Sequence, residues 1–142
     1  MKRPGNPSAL TAEGKRARQA LERARRSVAL LINATARRVY FTGGGSEANN
    51  LALKGVAFSG KGSRRGIVTT AVEHPSVRKT CLWLRDQGFD VTFVDPDREG
   101  RVSPERVAEA VDSGTLMVSV MLANNETGAI QPLREIASHA RA

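Results

Sequence analysis

Three stretches of this chain hold residue types that could do chemistry, and each stands where a strand gives way to a turn. The first is Phe41-Thr42-Gly43-Gly44-Gly45-Ser46-Glu47-Ala48-Asn49-Asn50. It follows a β-branched and aromatic run and precedes apolar residues at helical spacing. The free N–H groups at the start of such a helix favour a phosphate. Gly43, Gly44 and Gly45 would let a ligand approach the backbone closely, and Ser46 adds a hydroxyl donor. A Walker A loop needs a lysine before the Ser/Thr, and Gly45 stands there instead. A dinucleotide fingerprint, G-x-G-x-x-A, is present from Gly43 to Ala48, but Thr69-Thr70 replaces the acid expected at the end of the next strand. A glycine-rich helix start that binds nothing accounts for the same residues.

The second stretch, Ala71-Val72-Glu73-His74-Pro75-Ser76-Val77, puts His74 after a strand and before a proline-initiated helix. An imidazole at that edge could stack on a planar ring or shuttle a proton, or it could simply be exposed. The third runs from Leu122 to Pro132, where Asn124, Asn125, Glu126, Thr127 and Gly128 follow the most apolar strand of the chain. Asparagines there can satisfy loop backbone, or Asn125 can project its amide toward a ligand oxygen. Three polar clusters after three strands favour one convergent site.

The elements that must position these residues are legible from periodicity. Leu10, Ala17, Leu21, Ala24, Val28 and Leu31 recur at helical steps and predict one long amphipathic helix over 8–33. A strand is expected near 38–41, a helix over 46–57, a strand over 66–70 and a helix over 75–87. Next come a strand at 91–94, a helix capped by Ser103-Pro104-Glu105, an apolar strand over 116–121 and a helix opening at Pro132. Strands alternating with helices predict an α/β fold of βαβ units, three layers around a mostly parallel sheet. No internal repeat, low-complexity linker or second domain is apparent.

The 142 residues, 40% of them hydrophobic, suffice for a real core. Twenty-two Lys and Arg against 14 Asp and Glu give a net charge of +8. Much of that excess lies on the first helix at Lys15, Arg16, Arg18, Arg23, Arg25 and Arg26, where it reads as a solvated outer face. An aromatic content of 4% argues against base-stacking platforms, so no nucleic-acid partner is expected. The single cysteine, Cys81, excludes an internal disulfide and fits a reducing compartment. With no apolar run near the roughly 20 residues a span requires, no membrane association and a cytoplasmic, soluble protein are expected.

Taken in order, Gly5-Asn6-Pro7-Ser8, FTGGGSEANNLALKG, EHPSV with GFDVTFVD, and VSVMLANNETGAIQP resemble the cysteine desulfurases of the class V, fold-type I pyridoxal-phosphate enzymes. The likeness covers nearly the whole chain. It implies a pyridoxal 5'-phosphate site, with the phosphate-binding pair falling on Gly45 and Ser46. The histidine that stacks on the pyridine ring falls on His74, and the asparagine near the ring hydroxyl and substrate carboxylate falls on Asn125. It further implies L-cysteine as substrate, a sulfur-acceptor or scaffold protein as partner, and a homodimer in the full-length family. Selenocysteine lyases and aminotransferases of the same class share these features, and a Rossmann-like nucleotide-binding module is the non-catalytic alternative.

The departures from the family pattern define a second expectation. The Schiff-base lysine of the family lies in a Ser-x-His-Lys segment further downstream, and none of Lys2, Lys15, Lys54, Lys61 or Lys79 has that context. The sulfur-accepting cysteine is later still, and Cys81, inside VRKTCLWL, does not match it. The family's opening strand and Asn-Ala-Thr-Thr segment are absent, and Thr11 stands where a histidine is common. Residues 1–142 are therefore expected to be a partial cofactor-binding large domain, truncated at both ends and inactive alone. The strand at 116–121 should then keep an open edge that promotes aggregation, dimerisation or a molten character.

Overall fold

The structure, a computed structural model, describes residues 5–59 and 63–140. Lys2 and Lys61 lie outside the described residues. The chain divides into two compact units, Met1–Thr42 and Gly43–Ala142.

In the first unit the predicted helix forms as α1, Ala12–Leu31. Its start is set by Thr11, whose Oγ1 accepts from the Gly14 N–H at 3.1 Å. The Gly5–Ser8 turn lies directly on the first turns of α1. A Cβ on Gly14 would sit 2.3 Å from the Ala9 carbonyl oxygen, so only glycine permits that approach. Arg18 Nε donates to the Pro7 carbonyl at 2.8 Å and holds the turn down. The helix ends with Asn33 at φ 51°, where the Ala34 N–H reaches the Ala29 carbonyl and the Asn33 N–H reaches that of Leu30.

The strand expected at 38–41 is not formed. Residues Ala36–Arg38 make a 3₁₀ turn, and the chain beyond runs extended without a ladder partner among the described residues. Strand propensity is realised only against a neighbouring strand. Here the Val39 carbonyl is taken instead by Arg25 Nε at 3.0 Å, and the Tyr40 side chain is 76% exposed.

In the second unit α2 (Gly45–Ala57) is followed by β1 (Gly66–Thr70), α3 (Pro75–Asp86), β2 (Asp90–Val94), α4 (Pro104–Glu109), β3 (Thr115–Ser119) and α5 (Leu133–His139). The three strands form a parallel sheet in the order β2-β1-β3. Val68 pairs with Thr92 on one side and Val118 on the other. β3 is shorter than its apolar run, ending at Ser119, and every one of its residues is only half-buried.

Alternation along β1 sends successive side chains to opposite faces and splits the core in two. Ile67 packs with Leu53 of α2, with Val77, Cys81 and Leu84 of α3, and with Phe89. Val68 packs with Val94, Val102, Val107 of α4 and Ile136 of α5. Helices thus cover both faces of the sheet, the three-layer α/β arrangement expected. Burying a side chain the size of Ile67 contributes about 1.5–3 kcal/mol, so β1 anchors both layers. No described helix is long and apolar enough to cross a membrane.

Candidate functional site

The carboxyl end of β1 leads through Ala71, Val72 and Glu73 to His74, which is the N-cap residue of α3, with Pro75 in the first helical turn. The imidazole takes the place of the usual Ser or Asp cap. Its Nδ1 accepts from the Ser76 backbone N–H at 3.1 Å and lies 2.8 Å from Ser76 Oγ. Ser76 Oγ also accepts from Asn49 Nδ2 of α2 at 2.8 Å, and Thr80 Oγ1 lies 3.2 Å from Asn50 Oδ1. These cross-links set the spacing of the two helices at the site.

At the start of α2, Gly44 is the N-cap, Gly45 and Ser46 open the first turn, and Glu47 Oε2 accepts from the Gly43 N–H at 2.7 Å. None of Gly43, Gly44 and Gly45 lies in the left-handed region, and Gly44 is extended at φ 170°, so backbone conformation does not demand glycine at these positions. Space does distinguish them: a Cβ on Gly44 or Gly45 would point into a volume with no atom within 4 Å. That is the room a bound anion needs in front of helix N–H groups. Ser46 and His74 line one open groove of about 430 Å³ together with Asn50, Ser76, Lys54 and Lys79. Two lysines give it the positive charge that suits a phosphate. Lys54 Nζ lies 4.3 Å from the centroid of the Trp83 ring, a cation–π contact that holds the ammonium at the rim.

Asn125 sits apart from that groove. It is exposed at the turn after β3, at the same carboxyl edge of the sheet, and its amide has no hydrogen-bond partner among the described residues. The turn is built by its neighbour. Asn124 Oδ1 accepts from the N–H groups of Glu126 and Thr127 at 2.9 Å each, and Asn124 Nδ2 donates to the Val72 carbonyl at 3.0 Å. One asparagine therefore satisfies loop backbone, and the other is left to face outward.

Glu73 links the same two loops from beneath. Its side chain is 7% exposed, and Oε1 accepts from Met121 N–H at 2.7 Å and from Thr70 Oγ1 at 3.1 Å. Burial pushes its carboxyl pKa above the ordinary 4.5, and the two hydrogen bonds oppose that shift without cancelling it. Cys81 lies in the core below, and its thiol is pushed up to about 11, first by burial and then by the Glu73 carboxylate, with the Thr69 hydroxyl working the other way. A thiol so protonated is not a nucleophile at neutral pH.

The arrangement is an open groove with two lysines, a serine and an imidazole, at the edge where parallel sheets bind ligands. The whole chain, residues 1–142, matches the family described as aminotransferase class-V. The chain belongs to the aminotransferase class-V family. Within it, the chain is 42% identical over 137 residues to a cysteine desulfurase IscS of Methanosarcina thermophila, a match covering 96% of this chain and 34% of that protein. Among solved structures, a NifS-like protein superposes with a TM-score of 0.92 at 36% identity, over 96% of this chain and 38% of the other. A structure described as SspA in complex with cysteine gives a TM-score of 0.90 at 38% identity, over 96% and 39% of the two chains. The chain spans about a third of the length of the curated relatives it matches.

Sequence reasoning named Gly45, Ser46, His74 and Asn125. The structure brings Ser46 and His74 to one groove, with Gly45 next to Ser46 at the start of α2, and leaves Asn125 at the same edge outside the groove. Asn49, Ser76 and Glu73, which tie the two loops and helices together, were not singled out, whereas the loop-satisfying role open to the asparagines falls to Asn124. Of these three, Glu73 had a local signal, an acid beside the histidine at the end of a buried strand.

Proposed function

We propose that this chain is the amino-terminal part of the cofactor domain of a cysteine desulfurase, which converts L-cysteine to L-alanine and passes the sulfur to an acceptor or scaffold protein. The observation that carries the reading is the groove lined by Ser46 and His74, which begins one residue after the sterically open Gly44 and Gly45, in a chain whose relatives are named cysteine desulfurases. Pyridoxal 5'-phosphate, when bound, supplies the electron sink for bond cleavage next to the substrate's amino group. Gly45 and Ser46 would hold its phosphate through helix N–H groups and the serine hydroxyl. The His74 ring would lie against the pyridine, and Asn125 would direct its amide N–H to the ring hydroxyl and the substrate carboxylate. Lys54 and Lys79 keep the groove positive and draw the anionic cofactor in.

The chain has no nucleophilic thiol fit for sulfur transfer, because Cys81 is buried with its pKa raised. Neither Lys54 nor Lys79 lies in the family's Ser-x-His-Lys context. On this reading residues 1–142 are a partial large domain that is inactive alone, works in a cytoplasmic, homodimeric whole, and needs a second segment for covalent chemistry. The test is co-expression with the carboxyl-terminal part of a relative such as the Methanosarcina desulfurase. Co-purification with the cofactor's visible absorbance, lost on Ser46→Asp, is the expected result. A folded co-purified pair that takes up no cofactor would overturn it.

A further inference from the structure

Two donors converge on one nitrogen of His74. The Ser76 backbone N–H, 3.1 Å from Nδ1, can only donate, so Nδ1 must present a lone pair to it. The Ser76 hydroxyl, 2.8 Å from the same nitrogen, accepts the Asn49 amide N–H at 2.8 Å with one of its two lone pairs. Its own hydrogen is then free to point at Nδ1. Asn49 stands on α2 and Ser76 on α3, so the orientation of the hydroxyl is fixed across two helices. A proton on Nδ1 would face the amide hydrogen of Ser76 and break the cap of α3.

We propose that Asn49 and Ser76 are positioning residues that hold His74 as the tautomer with its proton on Nε2. His74 then offers the ligand a ring face and one outward N–H donor. The ring can pass a proton only by taking one on Nδ1, at the cost of the bond from the Ser76 backbone N–H. The geometry adds hydrogen-bond donation from Nε2 to what this imidazole can offer a ligand. The functional weight of this assignment rests on the proposed cofactor site, whereas the tautomer itself does not.

Long-range ¹H–¹⁵N correlation on the ¹⁵N-labelled chain at neutral pH reads the tautomer directly. His74 and His139 are the two histidines, and a His139→Gln variant assigns them. Wild type should show His74 Nε2 in the protonated range and Nδ1 in the unprotonated range. Ser76→Ala keeps the backbone donor and removes the hydroxyl, so the two nitrogen shifts should move toward each other, while Ser76→Thr restores their separation. Asn49→Ala should reproduce part of the Ser76→Ala change. Averaged nitrogens in wild type, or a Ser76→Ala spectrum identical to wild type, would overturn the proposal; the backbone amide spectrum checks that each variant is folded. The readout needs no cofactor, so a mixed tautomer counts against this inference alone. Failure of co-expressed parts to take up cofactor counts against the proposed function alone.

Discussion

Replacing Glu73 separates the two opposing effects that meet at its carboxyl. Glu73→Ala removes the acceptor of the Met121 N–H, at 2.7 Å, and of Thr70 Oγ1, at 3.1 Å. An orphaned buried donor costs about 1–3 kcal/mol, but Met121 is half-buried and water can enter the space left by the side chain. Relief of a desolvated charge offsets part of the remainder, leaving an expected net loss of about 2 kcal/mol. Glu73→Gln keeps an acceptor oxygen for both donors and removes the charge, so it should lie within about 1 kcal/mol of wild type near pH 7. The pH dependence discriminates further. The native carboxyl has a raised pKa, so the folded state binds the proton more tightly than the unfolded chain, whose value is near 4.5. Wild type should therefore gain stability relative to Glu73→Gln as pH falls from neutrality through the raised value toward 4.5. Urea titrations followed by circular dichroism, at fixed protein concentration and at several pH values, measure the difference. If wild type instead loses stability against Glu73→Gln on acidification, the hydrogen bonds outweigh burial and the reasoning is refuted.

Cys81, fully buried with a thiol near 11, should resist alkylation at neutral pH in the native chain and react once urea unfolds it; rapid native-state labelling would contradict its placement in the core. Gly88 ends α3 at φ +86° with open space where a Cβ would go, so Gly88→Ala should cost about 1–2 kcal/mol from backbone strain alone, and Gly88→Asn less. Ile67→Ala removes a side chain that is 0% exposed at the centre of the sheet and should cost about 2–5 kcal/mol, read as a lower urea midpoint. The half-buried open edge strand β3, with Leu122 and Ile130 exposed beyond it, predicts concentration-dependent self-association in sedimentation, and a strictly monomeric chain with a sharp thermal transition would count against it.

The order of helices and strands in the second unit was legible because each element carries its own signal. Pro75 and Pro104 open helices, Gly88 closes one, and Ile67 and Val68 sit in a short β-branched run. The region 38–41 misled for a physical reason. Val39, Tyr40 and Phe41 favour a pleated surface, but propensity says nothing about whether a partner strand exists, and an arginine on α1 offered the Val39 carbonyl a bond instead.

The site divides along a similar line. Ser46 and His74 were readable as groove residues because a residue at a helix start is marked by the turn itself, by glycines before Ser46 and by proline after His74. Asn49 and Ser76 leave no such mark, since they stand 27 residues apart on different helices and meet only after α2 and α3 pack. Asn124 shows the remaining ambiguity. Two adjacent asparagines are equivalent in sequence, and only the fold decides that Asn124 turns inward to the Val72 carbonyl and the loop N–H groups while Asn125 turns out. Local chemistry thus named the residues at the groove. The residues that aim them depend on tertiary contacts, and which nitrogen of His74 carries its proton is decided by those contacts.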